Sequence, residues 1–328
     1  MGCAINWVTS EFPTAEHPHY APFIKQEFTS LQNAGIEVDV FHYRGNQDWK
    51  RYLNYYPEIR RKLHDKQYDL FHAQFGQSGI FDLPKKIPLV VTFRGSDALG
   101  IIDDVTGKYT RKGRVLQVLS RLVARAANET IAVSRELVDH LPKRHYEIIP
   151  SGINLERFKP MPREDARTQL GLSLDSPIIF FGANPDTLRK RFPLAEQAVN
   201  IVKQHLPAVQ LIAAKGIPFE KMPLYINAAN VLVFTSVHEG SPNIVKESLA
   251  CNLPVVSVDV GDVKERLDGL DGCYLCEDDK PETIARYLER ALSSSKAIQG
   301  RQAVAQLDIA ATAERIIGVY NRALSGKH

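Results

Sequence analysis

The chain alternates short apolar runs with longer stretches of helical periodicity, and each apolar run ends in polar residues. Runs at 4–10, 38–42, 68–74, 87–93 and 129–134 have the length and composition of strands buried on both faces. Between them, 23–34 and 52–65 repeat apolar positions at helical spacing. A charged, Pro-rich stretch, Lys159-Pro160-Met161-Pro162-Arg163-Glu164, reads as a linker with a short helix at 163–170 behind it. The alternation then starts again. Strands are expected at 177–183, 209–214, 231–234 and after Leu253-Pro254, with helices at 193–204 and 244–250 and a closing helix at 312–324. Two series of this kind predict two doubly wound α/β domains, 1–157 and 158–328. Ligands of such sheets bind beyond the carboxyl ends of the strands, so the polar residues there are the ones to inspect.

The most informative strand end follows 231–234. Gly240-Ser241-Pro242-Asn243 turns the chain into a helix beginning near Ile244. Proline suits a helix start because its missing N–H would be unpaired there, while the free N–H groups of the next residues form an anion site. Phosphate is the expected guest. Glu239 and Glu247 flank the turn and add acceptors suited to sugar hydroxyls, a combination that a nucleotide sugar would satisfy. Two glutamates at this spacing could also be a solvated helix face, but the strand, turn, helix, strand context makes a βαβ unit of the segment.

The segment from Glu239 to Glu247 resembles the E-x7-E signature of retaining glycosyltransferases of family 4. The resemblance implies an α/β, GT-B fold, with two Rossmann-like doubly wound domains facing each other across a cleft. It implies further that Glu239 faces the donor sugar, that Glu247 bonds the ribose hydroxyls, and that Gly240, Ser241, Pro242, Asn243 and Ile244 cradle phosphate. Arg189 and Lys190, after the 177–183 strand, match the family's cations on the donor diphosphate, and a basic helix start sits poorly against a helix dipole unless an anion intervenes. Arg94-Gly95-Ser96-Asp97 stands where the family has His-Gly-x-Asp, so Arg94 is a candidate donor to the sugar or leaving phosphate, or else a loop cap with Asp97. Glu147 to Pro160 resembles the family's hinge, and Gly261 to Glu265 its Gly-Gly-x-x-Glu segment. A strand and helix common in the family are missing between Lys215 and Met222, and the terminal helix 312–324 is expected to pack back on the N-terminal domain.

Composition narrows the picture. The net charge of +3 excludes a polyanion-coating role, and no nucleic-acid partner is expected. Of the 41 Lys and Arg, 21 fall in 1–157, as do 18 of the 38 Asp and Glu, so the excess lies in the first domain. It clusters at Lys50, Arg51, Arg60, Arg61, Lys62 and Lys66, and again at Lys108, Arg111, Lys112 and Arg114. These are solvated helix faces, or else a peripheral contact with an anionic membrane that Tyr52, Tyr55 and Tyr56 would anchor. No apolar run reaches membrane-spanning length and the start lacks a signal-peptide layout, so a cytoplasmic location is expected, with membrane contact at the inner face as the variant. Cys273 and Cys276 form a lone C-x-x-C, read as a small strand near a turn.

The expected activity is retaining sugar transfer from a nucleotide-diphosphate sugar to a glycan, lipid-linked or small-molecule acceptor in polysaccharide or glycoconjugate biosynthesis. No cofactor is expected and metal is dispensable, because Arg189, Lys190 and the helix start supply the electrostatic stabilisation. Two rivals stand beside it. An epimerase of the same fold would use acid/base groups such as His17, His19 and His72, and a catalytically silent nucleotide-sugar-binding partner of an assembly complex would use none.

Overall fold

A computed structural model describes residues 4–14, 21–43, 49–65, 67–103, 108–294 and 296–326, excluding the side chains of 49–53, 64 and 65. His17, His19 and Lys66, and the side chains of Lys50, Arg51 and Tyr52, lie outside the described residues. Two compact units are formed: Met1–Gly152 with Ile309–His328, and Ile153–Asp308.

The first unit holds a parallel sheet of β1 (Ala4–Thr9), β2 (Glu37–His42), β3 (Leu70–Gln74), β4 (Leu89–Phe93), β5 (Glu129–Ala132) and β6 (Glu147–Ile148) in the order β2-β1-β3-β4-β5-β6. β3 and β4 are buried at every position, as strands of a doubly covered parallel sheet must be. The closing helix, Ile309–Ser325, belongs to this unit. Its Thr312, Ala313, Ile316, Val319, Tyr320 and Ala323 are buried at helical spacing, and the Tyr320 hydroxyl meets Trp7 Nε1 at 2.9 Å and His72 Nδ1 at 2.7 Å.

The second unit holds β7 (Ile178–Phe181), β8 (Gln210–Ala213), β9 (Val231–Phe234), β10 (Val255–Ser257) and β11 (Tyr274–Leu275), all parallel, in the order β11-β10-β9-β7-β8. From β8 the chain reaches β9 through only a short turn at Phe219–Lys221 and the helix Met222–Ala228. β7 and β9 are neighbours whose onward connections run to opposite sides, which makes the space beyond their carboxyl ends the switch point where such sheets take ligands. Cys273 and Cys276 flank β11 with free thiols, which burial pushes up to about 11 and about 12.

Candidate functional site

The loop after β9 reaches back to the loop after β7. Thr235 Oγ1 donates to the Lys190 carbonyl at 2.8 Å and Val237 N to the Arg189 carbonyl at 2.9 Å, with Ser236 Oγ 3.3 Å from the same oxygen. These bonds fix the tight turn Leu188–Lys190 and aim its two cations at one carboxylate. Glu239 Oε1 accepts from Arg189 Nη1 at 2.7 Å, from Lys190 Nζ at 2.5 Å and from Ser236 Oγ at 2.6 Å. Burial works to raise the Glu239 carboxyl, but the charges of Lys190 and Arg189 and the hydrogen bonds from Lys190 and Ser236 outweigh it and hold the group below its ordinary range. Lys190 is pulled down by its own burial against the attraction of Glu239. Arg189 keeps 47 % of its side chain exposed, so much of its fork still faces water. Arg191 turns away from the pair, bonding the Thr235 carbonyl and Asp279.

Beside this cluster the helix Asn243–Ala250 begins after Pro242, whose apolar ring cannot cap it. The N-cap residue therefore supplies no side-chain acceptor to the first-turn N–H groups, the local requirement for an anion site. The helix start lies hard against β7, since a Cβ on Gly182 would come within 2.2 Å of Ile244 Cγ1. The turn before it is braced from behind. Gly261, at φ +60°, packs so closely that a Cβ would lie 2.7 Å from the Gly240 carbonyl oxygen. Lys246 Nζ donates to Ser241 Oγ at 3.0 Å, Ser241 Oγ donates to Asp262 at 2.8 Å, and Arg266 Nε reaches the same carboxylate oxygen at 2.9 Å. Ser241 thus faces a buried network, while Asn243 Oδ1 is buried without a hydrogen-bond partner. Glu247 is buried, which pushes its carboxyl up to about 7 against the charges of Lys246 and Arg157.

The second unit therefore brings together Arg189, Lys190, Glu239 and the turn Gly240 to Ile244, with Glu247 one turn into the same helix. Sequence reasoning missed Thr235, Ser236, Lys246 and Asp262. The hydroxyls at the end of β9 were a legible signal, whereas nothing distinguished the buried Lys246 from a solvated lysine. Among the described residues no group of three or more His, Cys, Asp and Glu is placed to hold a metal ion.

Arg94 belongs to the first unit and does not present a free cation. Its guanidinium bonds Glu27 at 2.7 Å, Gln74 through Nε at 2.9 Å and through Nη2 at 2.5 Å, and Ser151 at 2.8 Å, all buried. Asp97 organises the loop by accepting from Gly76 N, Arg94 N and Gly95 N. The candidate donor to the sugar or leaving phosphate is thus already ion-paired here, since Glu27 on the helix Pro22–Asn33 supplies the counter-charge. His72 is equally committed, between Tyr320 and Thr92, and burial followed by the Arg94 charge holds it neutral, well below its usual range. On the basic helix Trp49–Asp65, the Tyr56 hydroxyl donates to the Leu83 carbonyl and Tyr55 packs on Phe41 and Tyr43. Arg60 bonds the Pro84 carbonyl and Lys62 covers the Phe41 ring, so the described tyrosines and two of the cations face the unit's own surface.

Comparison with known proteins gives two family matches, Glycosyltransferase Family 4 over residues 1–157 and Glycosyl transferases group 1 over 176–294. Among curated relatives, a protein of Bacillus subtilis named as a teichuronic acid biosynthesis glycosyltransferase, TuaC, is 25 % identical, over 79 % of this chain and 82 % of its own. A D-inositol 3-phosphate glycosyltransferase of Thermobispora bispora is 26 % identical over 80 % and 72 %. Among solved structures, sucrose-phosphate synthase from Thermosynechococcus elongatus superposes with a TM-score of 0.80 at 17 % identity, covering 99 % of this chain and all of the other. Anabaena HepE in complex with UDP-glucose gives 0.69 at 15 %, covering 97 % and 99 %. Both units therefore have the parallel α/β architecture of the GT-B fold.

Proposed function

From the premise that this chain belongs to the glycosyltransferases, family 4 in its first half and group 1 in its second, we propose that it transfers a sugar from a nucleoside-diphosphate sugar with retention of configuration. The observation that carries this is the three-way contact of Glu239 with Arg189, Lys190 and Ser236 at the β7/β9 switch point, next to an uncapped helix start. A diphosphate presents two or more negative charges where two cations and a set of free N–H groups converge. The donor sugar hydroxyls then take up Glu239 as its cations turn to the phosphates, and Glu247 bonds the ribose.

In the transfer the bond from the anomeric carbon to the phosphate oxygen breaks, and the acceptor oxygen bonds that carbon on the same face. The departing phosphate oxygen takes the acceptor's proton, so no side-chain base is required. Charge developing on the diphosphate is met by Arg189 and Lys190, once turned from Glu239, and by the first-turn N–H groups; in this reading metal is dispensable. Arg94 holds its loop in place and does not touch the donor.

Likeness to the teichuronic acid enzyme favours a polysaccharide or its lipid-linked precursor as acceptor. The epimerase reading loses one of its three candidate histidines, since His72 is buried between Tyr320 and Thr92. The test is calorimetric titration of UDP, GDP and ADP into the protein and its Arg189→Ala and Lys190→Ala variants. Binding of at least one diphosphate, weakened in both variants, supports the reading; no binding by any of the three removes it.

A further inference from the structure

The helix Arg111–Ala126 carries apolar residues on two opposite faces. Its inward face is fixed by two glycines of the segment Gly76–Asp82: a Cβ on Gly76 would lie 2.2 Å from Ser120 Oγ, and one on Gly79 would lie 2.3 Å from Val123 Cγ1. Gly113 is pressed in the same way against the backbone of Ile101. At about 100° per residue, Gly113, Ser120, Val123 and Ala124 define the buried side, and Val115, Val118 and Leu122 fall on the opposite one. There they are 57 %, 53 % and 50 % exposed, with Tyr109, at 42 %, just before the helix.

Single exposed apolar residues need no explanation. A continuous stripe along the outermost line of a helix is different, and here its setting is cationic. Arg114, Arg121 and Arg125 line one flank, Lys112 the other, and Arg111 stands at the start, all exposed. The 16 residues include five cations and no carboxylate. This charge selects among occupants. A second copy of the same face would bring five cations against five, and ordinary solvation would not place valine and leucine outermost. An anionic bilayer surface satisfies both parts at once, apolar side chains entering the acyl boundary and the cations lying over the headgroups.

We infer that the outward face of Arg111–Ala126 docks the protein on an anionic lipid surface. The inference goes beyond the donor chemistry and does not depend on it, and it moves the expected membrane contact from the tyrosine-bearing helix Trp49–Asp65 to this one.

Vesicle flotation tests it with purified full-length protein. The wild type should rise with phosphatidylcholine/phosphatidylglycerol vesicles at low salt, stay down with phosphatidylcholine alone, and come off as salt is raised. The triple variant Val115→Ser, Val118→Ser, Leu122→Ser keeps every charge and should lose flotation. The pair Arg114→Gln, Arg125→Gln keeps the stripe and should bind roughly 25-fold more weakly, at about fivefold per cation. Unchanged thermal melts and diphosphate binding would show both variants folded. A wild type that stays in the lower fractions at low salt, or flotation equal in wild type and both variants, overturns the inference. So does a concentration-dependent dimer in sedimentation that the triple variant abolishes, which would assign the stripe to a second copy.

Discussion

Glu239→Gln offers a test in which the sign matters more than the size. In the free protein the carboxylate stands 2.7 Å from Arg189 Nη1 and 2.5 Å from Lys190 Nζ, occupying the cations that are proposed to receive the donor diphosphate. A phosphate bonded to the same nitrogens would sit about 5 Å from the carboxylate, a repulsion of about 3 kcal/mol at an effective dielectric of about 20. Screening and rearrangement leave about 1–2 kcal/mol of that, or roughly five- to thirtyfold in affinity. The amide is nearly isosteric and still accepts from Ser236, so the turn should keep its shape. Calorimetry of free nucleoside diphosphate should therefore show tighter binding to the variant. Turnover with the sugar nucleotide should fall roughly 100-fold, because the carboxylate's contact with the sugar strengthens as charge develops there. If Glu239 instead serves only to hold the two cations in position, the variant will bind diphosphate more weakly. Fivefold weaker binding in a protein with an unchanged melt would refute the reasoning.

Lys190→Ala and Arg189→Ala should each weaken free diphosphate and intact donor alike by about 1.5–3 kcal/mol, read by calorimetry, since both ligands share the contacted group. Glu247 titrates at about 7 in the folded chain against 4.5 unexposed to these surroundings, so the folded state holds the extra proton and stability falls as pH rises between those values, then levels off. Glu247→Gln should accordingly be more stable than wild type at pH 8, by at most about 3 kcal/mol, with the gap closing toward pH 5, and should bind nucleotide more weakly; a gap independent of pH would remove burial of this carboxyl as the cause. Glu27→Ala leaves the buried Arg94 guanidinium without its counter-charge and should cost about 3–5 kcal/mol in urea unfolding, and a loss under about 1 kcal/mol would show the pair to be dispensable.

The two sheets were legible because several of their central strands, β4, β7 and β9 among them, are buried at every position and stand out as short apolar runs. Less was visible where packing departs from that rule. β6 and β11 have two residues each, too short to carry a pattern. The sequence shows helical periodicity over Asn243–Ala250 but not that every residue from Ile244 to Ala250 is buried, Lys246 included, which is accommodated by Ser241 and the carboxylate of Asp262 behind it. Such a network joins residues about 20 positions apart through a backbone approach that only Gly261 permits, and no local pattern encodes it. Arg189, Lys190 and Glu239 were legible for the opposite reason: each lies at a strand's carboxyl end, and neighbouring parallel strands bring their ends together. Arg94 shares that position, and what the sequence concealed was Glu27, 67 residues earlier, already holding it.

The central claim, donor cleavage with retention at this cluster, is met most directly by proton NMR of the protein with a panel of α-linked nucleotide sugars in the absence of acceptor. Slow hydrolysis should consume at least one donor, and the α-anomer of the free sugar should appear before mutarotation produces the β-anomer. Appearance of the β-anomer first would contradict retention, and a panel left intact together with unperturbed donor resonances would contradict the site itself.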